Sequence, residues 1–173
     1  MEYSMPDSIA TERTLLRHFQ ESDLEDIHEY YGDEQATRYT TGKAFNLAES
    51  WRALVLMIGH WQVRGFGPYA MQRQVDGKVL GLCGLWHPND WPEPEIKWAL
   101  SREFWGQGYG SEAARAVQKA AAEHLPGLSL ISFIQQENKA SIRLAEAVDA
   151  RLEKTLPFRG GTWCVMRYPK LSS

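Results

Sequence analysis

Residues 95–113 read Glu95-Ile96-Lys97-Trp98-Ala99-Leu100-Ser101-Arg102-Glu103-Phe104-Trp105-Gly106-Gln107-Gly108-Tyr109-Gly110-Ser111-Glu112-Ala113. The first six residues alternate in polarity and suit a strand. Glycines follow at 106, 108 and 110, and behind them Ser111 to His124 is alanine-rich and helical before Pro126-Gly127 breaks it. Glycine lets a backbone approach a ligand closely. A helix start supplies unpaired N–H groups and a partial positive charge, so this order of elements makes a site for phosphate oxygens. The turn holds no Arg or Lys, which leaves the binding to backbone N–H groups, with the Ser111 hydroxyl as an addition.

Several anion sites share such glycines. A P-loop requires Lys and a hydroxyl residue after the last glycine, and here Ser111-Glu112 follows, which argues against ATP hydrolysis. A dinucleotide fold is matched formally by Gly108-x-Gly110-x-x-Ala113, with Glu137 as the later acid. Against it, the strand ends near Leu100, well before the glycines, and too little chain remains to finish an open parallel sheet. A helix start with permissive glycines and no ligand is the third reading. The triplet alone leaves these open.

Outward from this unit the chain alternates strands and helices. Arg13 to Phe19 reads as a strand, and the capping box Ser22-Asp23-Leu24-Glu25 predicts a helix towards Tyr31 that Gly32 stops. Asn46-Leu47-Ala48-Glu49 repeats the signal and opens a longer helix with Trp51, Leu54, Val55, Ile58 and Trp61 on its buried face. Tyr69–Val75 and Lys78–Trp86 form a hairpin about a two-residue Asp76-Gly77 turn. His87 to Pro92 is a loop, Leu128–Ile134 a strand, Asn138–Val148 a helix, and Arg151–Phe158 with Trp163–Tyr168 a closing hairpin. The hairpins demand antiparallel pairs, while the unit 95–134 permits a parallel pair by a right-handed crossover. The expected fold is α/β, a mixed, mostly antiparallel sheet of about seven strands flanked by helices, as one domain over residues 1–173.

Composition narrows the partners. With 24% charged residues, 43% hydrophobic residues and a net charge of −3, the 173-residue chain is balanced as a globular protein and lacks a footprint for nucleic acid. No apolar stretch reaches membrane-spanning length and no signal-peptide layout opens the chain, which points to the cytoplasm. Cys83 and Cys164 lack metal-ligand spacing and read as buried apolar residues of strands; no metal is expected. The oligomeric state is left as monomer or homodimer.

The stretch Glu95-Ile96-x-Trp98-x-Leu100 with Phe104-Trp105-Gly106-Gln107-Gly108-Tyr109-Gly110-Ser111-Glu112-Ala113 resembles motif A of the GNAT acetyltransferases. Within them it resembles the RimJ/RimL-type branch, with its Trp-Gly-x-Gly-x-(Gly/Ala)-x-Glu-Ala form. Asn138-Lys139-Ala140-Ser141 is similar to the branch's Asn-x-x-Ser element, and Thr11 to Arg17, Arg38-Tyr39 and Trp61 to Gly67 extend the likeness over nearly the whole chain.

The resemblance implies acetyl-CoA as acyl donor and a splay between the fourth and fifth strands, those carrying Trp98 and Phe133. The pantetheine arm would lie in that gap against the backbone of Trp98, Ala99 and Leu100. The pyrophosphate would lie on Trp105, Gly106, Gln107, Gly108, Tyr109, Gly110 and Ser111, with Asn138 and Ser141 near the pantetheine and thiol. Glu95 is the implied base or a residue that binds a cationic substrate, with Glu93 and His87 behind it. The tyrosine acid of many members is replaced by Ala145, and Ser141 is the substitute. Asp149 stands where glycine is common, and Asp tolerates left-handed backbone angles. Tyr39, Trp86, Trp91 and Phe158 are candidate walls of the acceptor pocket. The expected acceptor is a primary amine, of a small molecule or of a protein or peptide N-terminus. A non-catalytic CoA-binding domain of the same fold is the alternative.

Overall fold

The computed structural model describes residues 2–170. Its strands are β1 (Ser8–Ala10), β2 (Thr14–Arg17), β3 (Pro68–Arg73), β4 (Val79–Trp86), β5 (Glu95–Leu100), β6 (Ile131–Gln135), β7 (Arg151–Phe158) and β8 (Gly161–Arg167). They form one sheet in the order β1-β2-β3-β4-β5-β6-β8-β7. Every neighbouring pair is antiparallel except β5 and β6, which are parallel. The mixed, mostly antiparallel architecture is thus as the sequence predicts, with an eighth strand. That addition is β1, whose three residues pair Ile9 with Leu16 and are too short to carry a periodic signal.

The helices are α1 (Leu24–Tyr31), α2 (Glu34–Thr37), α3 (Leu47–Arg64), α4 (Tyr109–His124) and α5 (Lys139–Ala147). Two of their starts differ from the sequence reading. Ser22 does not cap α1; the Asp23 carboxylate accepts from the Gln20 backbone N–H at 2.8 Å and from Arg17, and a 3-10 turn over Glu21–Asp23 leads into the helix. Helix α4 begins at Tyr109, two residues before Ser111, because Gly108 takes the cap position. The reciprocal cap at α3 is present: Asn46 Oδ1 accepts from the Glu49 N–H, and Glu49 Oε2 from the Asn46 N–H, both at 2.9 Å.

The buried stripe of α3 is Ser50, Leu54, Met57 and Trp61. Trp51 and Val55, expected inside, are 42% and 43% exposed, and the Trp51 indole donates to Glu21 instead. Leu54 and Trp61 fit either stripe, so periodicity placed the face to within one residue. The Asp76-Gly77 hairpin is also wider than two residues. The Arg73 N–H donates to the Lys78 carbonyl, and residues 74–78 form the turn, with Val75 out in solvent.

The sheet is buried on both sides. Under α4 and α5 lie Leu16, Tyr69, Met71, Leu85, Ile96, Ala113 and Val117, among others. Under α1 and α3 lie Ile27, Tyr31, Leu54, Met57, Ala70, Leu82 and Ala99. Cys83 and Cys164 are buried and free. Asp149 has φ +75°, the left-handed angle its residue type tolerates.

Strands β5 and β6 pair at a single point, Glu95 with Ile131, where the Ile131 N–H donates to the Pro94 carbonyl. Beyond it they part. Side chains take over two ladder roles at the divergence: Glu95 Oε2 accepts from the Phe133 N–H at 2.8 Å, and the Ser132 hydroxyl donates to the Ile96 carbonyl at 2.7 Å. The splay is therefore held open by bonds that satisfy buried backbone groups, as an interior requires.

Candidate active site

The gap between β5 and β6 opens into two connected hollows. One is a groove of about 840 Å³, lined by Trp98, Ala99, Leu100, the glycine turn, the first turns of α4 and α5, and Gln35, Ala36 and Arg38 to Thr40 from the α2 segment. On the α1 and α3 side lies a cavity of about 410 Å³ with Glu95 and Lys97 in its wall. Tyr30, Tyr39, Thr40, Trp98, Asn138 and Ser141 line both, so the two meet at the splay.

The groove's far end is the glycine turn. Gly106 and Gly108 take φ of +72° and +82°, angles at which a side chain is strained. Gly108 is the cap of α4, so the N–H groups of Tyr109, Gly110 and Ser111 occupy the first turn without helical partners. Gly110 is needed for a different reason. A Cβ there would lie 2.6 Å from Leu144 Cδ1, so its bareness lets α4 and α5 close on one another.

Two side chains outside the turn hold it. Arg13 Nη1 donates to the Gln107 carbonyl at 2.9 Å, Arg13 Nε pairs with Glu112 Oε1 at 2.9 Å, and the guanidinium lies over the Tyr109 ring. Glu112 also accepts from the Thr11 hydroxyl and the Arg13 N–H. Sequence reading found the turn but missed this brace, because Arg13 and Glu112 lie 99 residues apart. The Gln107 side chain bonds the Glu103 carbonyl and does not line the groove, while its backbone carbonyl turns to Arg13. Ser111 turns its hydroxyl onto the Gly108 carbonyl at 3.1 Å. The Trp105 indole donates to the Leu100 carbonyl at 2.8 Å, which takes that one carbonyl of β5 for the protein itself.

At the mouth between the hollows, Asn138 Oδ1 accepts from the Ser141 N–H and caps α5. The Trp98 indole donates to Ser141 Oγ at 3.4 Å, which leaves the hydroxyl proton free to point elsewhere. Ala145 is fully buried in the α5 packing.

Glu95 is 4% exposed. Its Oε1 accepts from the Trp91 indole at 2.9 Å and its Oε2 from the Phe133 N–H. Burial pushes its carboxyl up to about 7, against the opposing pull of Lys97 and these two donors. Arg102, just past the end of the same strand, bonds Asp33 and Gln35. Glu93 is held by Arg167 at 2.7 Å, well below the usual carboxylate range because of that bond, and does not line the cavity. His87 is half-buried and also lies outside the lining, its N–H donated to His60 Nε2.

Tyr39, Trp86 and Trp91 line the cavity. Phe158 stands behind it, edge-on to Trp91, Phe133 and Trp163, with ring centroids 5.1–5.3 Å apart. Two cationic residues of the lining were not singled out from the sequence, Lys97 and Arg159. Lys97 shares a strand face with Glu95, a period-2 relation readable in advance. Arg159 comes in from the terminal hairpin, and no local signal marks it.

The groove fits an elongated phosphate-bearing molecule, with backbone donors at one end and a splayed strand edge along its length. Comparison with known proteins agrees. A family model described as an acetyltransferase (GNAT) domain matches residues 13–151. The chain is 26% identical over 155 residues to an uncharacterized N-acetyltransferase, p20, of Bacillus licheniformis, covering 87% of this chain and 85% of that one. Its fold superposes with TM-score 0.84 on an acetyltransferase of Agrobacterium tumefaciens, at 26% identity and covering 98% and 97% of the two chains. A RimL alpha-N-protein acetyltransferase in complex with coenzyme A shares the fold at TM-score 0.75 and 17% identity, covering 92% and 96%. Among the described residues no helix is long and apolar enough to cross a membrane.

Proposed function

Because this chain belongs to the GNAT acetyltransferase family, we propose that it moves the acetyl group of acetyl-CoA to a primary amine by direct attack in a ternary complex. Acyl-CoA-dependent acetyl transfer is the family's chemistry, and the acceptor and the residue roles are our own reading. The observation that carries it is Glu95: a buried carboxyl with its pKa near 7, in the wall of the cavity that meets the groove at Trp98 and Ser141. A base with a pKa near the working pH is the one that both holds and releases a proton readily.

Acetyl-CoA supplies the acetyl carbon already activated as a thioester. The N–H groups of the α4 first turn and of Gly106 and Gly108 hold its pyrophosphate, braced by Arg13 through Gln107 and Glu112. Trp98 offers its backbone to the pantetheine arm, since Ala99 is paired with Leu82 of β4 and the Leu100 carbonyl is withheld by Trp105. Placing the amine beside the acetyl carbon converts a bimolecular encounter into a local one, the largest single gain available here.

Glu95 accepts the ammonium proton, directly or through water, so that the amine attacks in its neutral form. The new N–C bond forms as the C–S bond breaks. The thiolate takes a proton from the Ser141 hydroxyl, which is oriented by the Trp98 indole and regains the proton shed by the new amide nitrogen, while Glu95 returns its own to solvent. Tyr39, Trp86 and Trp91 wall the acceptor's side of the splay. The whole chain is read as one domain that carries both hollows.

Free thiol release from acetyl-CoA, measured across a panel of primary amines with each product identified by mass, tests this function. Amine-dependent thiol release with a matching acetylated product supports it. Tight CoA binding with no thiol release for any amine sinks it in favour of a binding module.

A further inference from the structure

We infer that the acceptor is a small α-amino acid with an aromatic or bulky apolar side chain, its carboxylate held between Lys97 and Arg159. This names the acceptor class for the site proposed above and rests on that reading.

The cavity brings two cations together where apolar walls would favour none. Lys97 projects from β5 on the Glu95 face, with its Nζ 4.5 Å from the centroid of the Trp86 ring. Among the described residues it has no carboxylate within ion-pair distance, and Glu95, two residues along the strand, bonds Trp91 and Phe133. Burial lowers the Lys97 ammonium, Glu95 opposes that, and the charge of Arg159 lowers it further. The guanidinium of Arg159 lies 5.1 Å from the Trp91 ring centroid and 5.0 Å from that of Phe158. Asp90 holds one of its nitrogens at 2.8 Å, and a guanidinium has further donors to offer. Lys97 lies in the cavity wall and Arg159 at its rim, with a side chain 57% exposed, so an anion held between them would neutralise one enclosed and one solvated cation.

The backbone supplies an independent sign. Phe158 pairs with Gly161, so Arg159-Gly160 is a two-residue hairpin turn with φ of +47° and +75°. Such a turn favours Asn-Gly, and arginine is strained there. Strain kept at the rim of a cavity points to a side chain retained for its reach.

The third element is aromatic. Tyr39, Trp86, Trp91, Phe133 and Trp163 wall the same space. Its volume of about 410 Å³ suits a small molecule. Amine at Glu95, carboxylate between Lys97 and Arg159, and an apolar side chain against the rings account for every polar group that the argument places there.

The test compares kcat/KM for four acceptors that share one side chain, in series built on phenylalanine, tryptophan, leucine and methionine. The four are the amino acid, its carboxamide, the decarboxylated amine, and a peptide amide with that residue first. The inference expects the free acid to be preferred over its carboxamide by roughly ten- to a hundredfold in at least one series. Lys97→Met should bring that ratio towards one. Arg159→Asn should do the same while its Tm stays level or rises, because asparagine relieves the turn; a merely structural arginine would instead lower Tm and leave the ratio alone. Equal turnover of acid, carboxamide and amine overturns the inference while leaving amine acetylation intact. A peptide amide preferred over the free acid overturns it in favour of a protein N-terminus. No thiol release with any of these acceptors, from a protein that binds CoA, overturns both readings.

Discussion

Glu95 Oε2 accepts the Phe133 backbone N–H at 2.8 Å, so one carboxylate replaces a ladder bond between two strands and lines the cavity as well. The group proposed as base is therefore also a strut of the splay.

Its replacement should separate the two duties. In Glu95→Gln one of the donors, Trp91 Nε1–H or the Phe133 N–H, meets an amide NH2 in place of an acceptor. We expect kcat to fall by about 10²–10⁴-fold, with CoA affinity retained. In the wild type kcat/KM should rise with pH through about 7 and then level, as burial holds the carboxyl protonated below that. A variant that keeps the wild-type rate and this pH limb would remove Glu95 from the mechanism.

Stability should carry the opposite pH signature. The Glu95 carboxyl rises from 4.5 to about 7 on folding because of burial, so between those values the folded chain binds the proton more tightly than the unfolded one. Stability is then full below pH 4.5 and declines as pH rises through 7, by on the order of 3 kcal/mol from this group. His60 works the other way. It is bonded to the Phe66 carbonyl and the His87 N–H, and burial lowers its pKa, so its contribution is full above 6.5 and is lost as pH falls below that towards its lowered folded value. Urea unfolding of wild type, Glu95→Gln and His60→Gln from pH 5 to 8.5 should show each variant flattening its own limb.

Arg13→Ala should loosen the glycine turn without touching the reacting groups. The pair with Glu112 is partly exposed, at 38% and 19%, so about 1 kcal/mol of stability is expected from it. The Gln107 carbonyl also loses its donor. KM for acetyl-CoA should rise while kcat holds, and an unchanged KM would mean that the brace does not position the turn.

Gly110→Val tests the closure of α4 on α5. The added Cβ meets Leu144 Cδ1 at 2.6 Å, and overpacking of this kind costs about 1–3 kcal/mol. Adding Leu144→Ala should recover part of the loss in a thermal melt. Additive losses would place the strain elsewhere.

Local chemistry is what the sequence made legible. The glycine turn, the Asn46 cap and the Asn138 cap each depend on neighbours within a few residues, and all are present. The same holds for the two hairpins, while the placing of β8 between β6 and β7 was not read from the sequence. What escaped depends on distance along the chain. Arg13 meets Glu112 only through the fold, and Arg159 reaches the cavity only because β7 and β8 bring their turn there. Phe158 looked like a cavity wall on residue type alone, whereas the geometry sets Trp91, Phe133 and Trp163 in front of it. The stripe on α3 was misread by one position, since Ser50 and Met57 are weaker hydrophobic signals than Trp51 and Val55.

The lone bridge between Glu95 and Ile131 makes the sheet an object of two leaves joined at a seam. One leaf carries β1 to β5, the other β6, β8 and β7, and each is knit internally by continuous antiparallel ladders. Amide exchange should follow that seam, with the ladder amides of each leaf slow and the gap-facing amides of Trp98 and Leu100 fast. A molecule lying in the gap would touch both leaves at once and add contacts where the backbone makes fewest.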